Sequence, residues 1–132
     1  MTTNKIERLI DANYNRLKEA LRLLEDIQRF IYDNKELSYA FKELRHNLTA
    51  LYSPTRVEHR DIINDVSKAS TSSEMKRDSL SDLIEANFSR AFESSRVLEE
   101  AFKVIDPKLS SIAKEIRYNL YNLHKTVLKE IK

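Results

Sequence analysis

The chain has 132 residues, with 23 Lys and Arg against 21 Asp and Glu, so it is long enough for one domain and nearly neutral at +2. That balance argues against a dedicated nucleic-acid binder, which concentrates unpaired cations on one face. The absence of cysteine excludes disulfides, thiolate metal sites and a thiol nucleophile, and the absence of glycine excludes every glycine-rich phosphate loop.

With about nine glycines missing relative to average usage, little breaks the strong helix formers. No apolar run approaches the length of a membrane span and no signal-like N-terminus is present, so a cytoplasmic protein with no membrane or nucleic-acid partner is expected. The first helix is predicted over about 5–32, capped by Asn4 with Glu7 three residues on. Ile6, Leu9, Leu17, Ala20, Leu24, Ile27 and Ile31 share one face of it. Asp33 can cap a second helix, 35–52, whose stripe is Leu37, Ala40, Phe41, Leu44, Leu48 and Leu51 and which stops before Ser53-Pro54.

Residues 53–78 form a partly irregular linker. A short helix around Ile62, Ile63 and Val66 and a mobile polar loop over 68–74 are expected there. Ser79 with Asp82 opens a third helix, 79–105. Asp106-Pro107, an N-cap followed by proline at the first helical position, opens a fourth over 107–131.

The chain states its main segment twice. Leu9–Ile31 and Leu83–Ile105 agree at ten of 23 positions, and 42–48 (KELRHNL) matches 114–120 (KEIRYNL). The repeated unit, 5–52 and 79–131, is a helical hairpin with an apolar stripe that it cannot bury alone. The expected fold is all-α, a four-helix bundle of two duplicated hairpins in a single domain, 1–132.

Half of the shared identities are polar and fall on a three-residue step: Asn13, Arg16, Glu19, Arg22 and Glu25, repeated as Asn87, Arg90, Glu93, Arg96 and Glu99. Asn13 sits at the centre of the apolar face, Arg16 at its flank, Glu19 at its edge and Arg22 outside. Arg45 and Arg117 flank one edge of the stripe on the second and fourth helices. The outer residues read as solvated i,i+3 ion pairs. The inner ones read equally as a buried Asn–Arg network fixing the symmetry or as a binding site, since a buried unpaired amide costs about 1–3 kcal/mol. Glu25-Asp26 and Glu99-Glu100 could offer oxygen ligands to Mg²⁺ but read more simply as solvated acids. Arg56, Arg60, Asp61 and Asp65 supply either anion contacts and a carboxylate at a bundle mouth or an ordinary polar connector. His46, His59 and His124 have no metal-ligand spacing, and no metal site is assigned.

The runs Ile10-Asp11-Ala12-Asn13, Lys42-Glu43-Leu44-Arg45-His46, Arg60-Asp61 and Asp65-Val66, with the second run from Asn87 to Glu100, resemble an all-helical domain found N-terminal to some bacterial thiamine-phosphate synthases. That domain is similar to the family assigned as a monofunctional hydroxymethylpyrimidine-phosphate kinase. Ser67 stands where the family pattern favours glycine. The resemblance implies a kinase that phosphorylates hydroxymethylpyrimidine phosphate to the diphosphate in thiamine biosynthesis, using ATP and Mg²⁺. Asn13 and Asn87 would then read the pyrimidine edge, and Arg16, Arg45, Arg60, Arg90 and Arg117 would hold phosphates. Glu19, Glu93 or Asp65 would orient the nucleophile or hold Mg²⁺. The second reading is a non-catalytic helical interaction or dimerisation module, with a thiamine-phosphate synthase or a second copy of the chain as partner.

Overall fold

A computed structural model describes residues 2–71 and 75–131. Four long helices dominate: α1 (Thr2–Asp26), α2 (Lys35–Asn47), α3 (Leu80–Ile105) and α4 (Pro107–Glu130). Among the described residues there is no strand, as an all-α bundle requires. The helix α1 starts earlier than predicted. Thr2, Thr3 and Asn4 are exposed and simply extend it, so Asn4 is not its cap.

At its other end α1 passes into a π-helical turn, Ile27–Ile31, closed by Tyr32 N–H to the Ile27 carbonyl and Asn34 N–H to the Gln28 carbonyl. The wider turn shifts the register of the apolar face. Ile31, predicted inside, is 53 % exposed. Asp33 does not cap α2 as expected. It occupies the left-handed region at φ 50°, where Asp is among the few tolerated non-glycine residues, and Asn34 caps instead through Oδ1, 2.9 Å from Leu37 N. The caps predicted at Ser79 and Asp106 are present, accepting from Asp82 N and Lys108 N.

The helices bury one continuous apolar cluster, with Ile10, Leu17, Leu21 and Leu24 of α1 against Ile84, Phe88, Leu98 and Phe102 of α3. Phe41 of α2 meets Phe88 with ring centroids 5.9 Å apart. Asn34 Nδ2 donates to Glu130 Oε2 at 2.9 Å, tying the start of α2 to the end of α4. Leu9, placed on the core face from sequence, lies outside it, while Ile10 and Tyr14 are inside. The core arc is therefore turned toward Ile10 from the arc expected.

Downstream of α2, a 3₁₀ turn (Leu48–Leu51) leads to Ser53-Pro54 and a second 3₁₀ turn at Arg56–His59. That turn replaces the short helix expected around Ile62, Ile63 and Val66, all of which are exposed. The loop expected over 68–74 falls partly outside the described residues.

Candidate functional site

The inner end of the polar stripe is satisfied locally. Asn13, almost fully buried, donates Nδ2 to the Leu9 carbonyl at 3.0 Å, and Asn87 donates to the Leu83 carbonyl at 2.9 Å. Arg16 reaches back to Asn13 Oδ1 at 3.4 Å. Arg16, Glu19, Arg90 and Glu93 are exposed. Among the described residues no hydrogen bond or ion pair joins Asn13/Arg16 to Asn87/Arg90, so the symmetry-fixing network does not form.

The outer end is the larger surprise. Glu25 and Glu99, expected to be solvated, are each 4 % exposed. Arg45 grips Glu25 from α2, with Nε 2.9 Å from Oε1 and a second bond of 3.4 Å to Oε2. Arg117 grips Glu99 from α4 in the same two-pronged way, at 2.8 and 3.3 Å, and adds a bond to the Tyr121 hydroxyl at 3.2 Å. Burial by itself would raise the Glu99 carboxyl. The Arg117 hydrogen bonds and charge, with Arg96 and Lys103 nearby, outweigh it and hold Glu99 below the ordinary carboxylate range. The hydrogen bond to Glu99 correspondingly raises Arg117. Arg45 and Arg117 are thus committed to intra-hairpin pairs. The signal was in the sequence: both the glutamate and its arginine are duplicated on helices that must face each other.

A groove of about 630 Å³ runs between the first half of α1 and the connector after α2, and it brings together four of the predicted residues, Arg16, Glu19, Arg60 and Asp65. Three arginines staple the connector to α1. Arg56 donates to Glu7 Oε2 and to the Leu51 carbonyl, both at 2.7 Å, with its guanidinium over the Phe102 ring. Arg60 makes a two-pronged pair with Asp11 at 2.7 and 2.9 Å. Arg8 donates to the Asp61 carbonyl at 2.8 Å. Asp61 in turn accepts from the side chain and backbone of Asn64, which lowers its pKa. Lys5, Arg8, Asp11 and Asn15 also border the groove and were missed; the successive steps of three, three and four residues between them mark one helix face. Asn87, Arg90 and Glu93 of the second copy do not border it.

The groove sets four cations (Lys5, Arg8, Arg16, Arg60) against four carboxylates (Asp11, Glu19, Asp61, Asp65). No surplus positive charge is left for a triphosphate, and Asp11 and Asp61 already have partners, so the residues are a poor fit for ATP with Mg²⁺. Among the described residues no three His, Cys, Asp or Glu side chains converge on one point.

Comparison with known proteins decides the lineage. The family model of the ThiD2 family matches residues 8–126. The chain belongs to the ThiD2 family. It is 38 % identical over 124 residues to a thiamine-phosphate synthase of Synechocystis sp., covering 93 % of this chain and 36 % of that protein. A thiamine-phosphate synthase of Nostoc punctiforme is 34 % identical over 124 residues, 93 % of this chain and 35 % of its own length. One from Synechococcus sp. is 38 % identical over 126 residues, 95 % and 36 %. The chain spans about a third of the length of these relatives. No solved structure matches it.

These matches correct the kinase reading. Over the stretch from which a hydroxymethylpyrimidine-phosphate kinase was expected, the relatives bear the name thiamine-phosphate synthase, and they fit the second reading, a synthase-associated helical module. The geometry gives a physical reason for the failure. Two of the five arginines expected to hold phosphates are spent on buried glutamates and a third, Arg60, on Asp11. Among the described residues no helix is long and apolar enough to cross a membrane.

Proposed function

We propose that this chain is a helical interaction module that acts alongside a thiamine-phosphate synthase, docking to it and not itself catalysing a reaction. The observation that carries this reading is the pattern of coverage: nearly the whole chain aligns to about a third of a longer protein bearing the synthase name. The groove is consistent with such a role. Its charges balance in number and Arg60 is paired with Asp11, while Leu9 and Ile62 stand exposed on its walls at 46 % and 69 %. Exposed apolar side chains rimmed by charges of both signs make a contact surface with a polar border.

The test is to mix the purified chain with a thiamine-phosphate synthase from the same source and measure mass by light scattering after size exclusion. A stoichiometric complex is expected, and Leu9→Asp with Ile62→Asp should weaken it about tenfold or more, since two apolar contacts are replaced by buried charge. Absence of a complex at high protein concentration, with both proteins folded, overturns the reading.

A further inference from the structure

The two hairpins are not equivalent at their closed ends. Glu25 and Glu99 are 74 residues apart in sequence but Arg45 and Arg117 only 72, so the first turn holds two more residues than the second. In the second hairpin a single residue, Asp106, separates α3 from α4, and Ser110 Oγ donates to the Glu99 carbonyl at 2.7 Å, sealing the mouth. In the first hairpin the extra residues are taken up by the π-helical turn and by Asp33 in its left-handed conformation. The mouth stands open as a cavity of about 420 Å³, and Ser38, the counterpart of Ser110, lines it. π-helical turns of this kind are frequent at functional sites.

The cations differ between the copies in the same sense. In the closed hairpin Lys103 pairs with Glu100 at 2.9 Å, and Lys114 lies 5.6 Å from the Tyr118 ring. Their counterparts Arg29 and Lys42 both line the open cavity together with Lys35; Arg29 lies over the Phe30 ring at 4.7 Å, and none of the three makes an ion pair among the described residues. The facing carboxylates are Asp33 and Glu25, and Glu25 is already neutralised by Arg45. A surplus of two positive charges therefore faces the cavity, where the α1 groove has none. The first turn of α2 forms part of the wall, and the positive end of its dipole adds to the field.

We infer that this open hairpin mouth binds the phosphate group of a small molecule, with Arg29, Lys35 and Lys42 as its ligands. The volume lies within the range of about 300–1,000 Å³ typical of small-molecule sites and exceeds what one phosphate needs, so an organic body can be held as well. The inference does not depend on docking to a synthase.

Calorimetric titration of the 132-residue chain at low ionic strength with inorganic phosphate and, separately, with glycerol 3-phosphate tests it. Saturable binding of one equivalent is expected. Lys42→Gln should weaken binding about tenfold, the effect of losing one charge-assisted hydrogen bond, while Lys114→Gln at the sealed mouth should leave it unchanged. Both lysines are exposed, so neither substitution threatens the fold. Equal affinity for the two probes assigns the cavity to free phosphate, and tighter binding of the ester assigns it to a phosphorylated metabolite. No saturable binding of either probe, or equal weakening by Lys42→Gln and Lys114→Gln, overturns the inference.

Discussion

Removing the carboxylate of Glu99 should destabilise this protein more than any comparable change on its charged surface. The Glu99 and Arg117 side chains are 5 % and 11 % exposed, and two hydrogen bonds hold them together. Breaking a buried pair from one side costs about 3–5 kcal/mol because the remaining charge is left stranded. Glu99→Gln keeps the shape and one acceptor oxygen, and Arg117 retains its bond to the Tyr121 hydroxyl and its place over the Tyr118 ring, 5.0 Å from the centroid. The expected loss is therefore nearer 2–3 kcal/mol, or about 7–10 °C in Tm for a domain of this size. Replacing both partners, Glu99→Leu with Arg117→Met, should return stability to within about 1 kcal/mol of wild type, because no charge is stranded and methionine keeps much of the arginine stem packing. Urea unfolding followed by circular dichroism, arranged as a double-mutant cycle, measures both terms. Acid gives a second readout. Glu99 is held below its ordinary value of 4.5 in the fold, so its stabilisation is present above that pH and is lost as pH falls through the lower folded value. Wild type should thus lose more stability than Glu99→Gln on acidification below about pH 4.5. A cost below about 0.5 kcal/mol for Glu99→Gln, in the range of an exposed pair, would refute the reasoning.

The connector arginines should separate by burial. Arg56→Ala is expected to cost about 2–3 kcal/mol, since its side chain is 8 % exposed and its loss strands Glu7 and the Leu51 carbonyl. Arg60→Ala, at a side chain 45 % exposed whose partner Asp11 is only 10 % exposed, should cost about 1–2 kcal/mol, less than Arg56→Ala, while raising amide hydrogen exchange across 56–65, because the connector loses a staple. Thermal unfolding and exchange mass spectrometry distinguish the two, and equal costs would show that burial is not the controlling variable. Asn13→Leu should change stability by less than about 1 kcal/mol in denaturant titration, because the amide serves only the Leu9 carbonyl of its own helix and Arg16. A loss above 3 kcal/mol would instead reveal a network that the geometry does not show.

Much of the architecture was legible because it rests on local rules. The absence of glycine, the 3.6-residue apolar period and the caps at Ser79 and Asp106 specify helices wherever they occur, and the doubled hairpin follows from two unburied stripes. The misplacements at Leu9 and Ile31 have one kind of cause. Ile31 stands five full turns from Asn13, at the centre of the expected face, and the π-helical turn carries it out to solvent. Leu9 leaves the core through a small rotation of the arc toward Ile10, and helical periodicity carries no information about either.

The candidate site was less legible, because charge partners depend on distance in space. Asp11 finds Arg60 across 49 residues, and Glu25 finds Arg45 across a turn whose length decides which helix faces meet. The duplicated polar identities showed that Glu25, Glu99, Arg45 and Arg117 were constrained. They could not show that the constraint is a buried pair and not a ligand. The sequence alone determined that the chain forms helices, how many, and that they come as two related hairpins, since these follow from composition, period and repetition. Tertiary structure alone decided which charges are spent on one another and which are left over. The same Glu–Arg grip closes both hairpins, yet two extra residues in the first turn leave Arg29, Lys35 and Lys42 facing an open cavity, because the geometry of a turn is set by how the helices on either side pack.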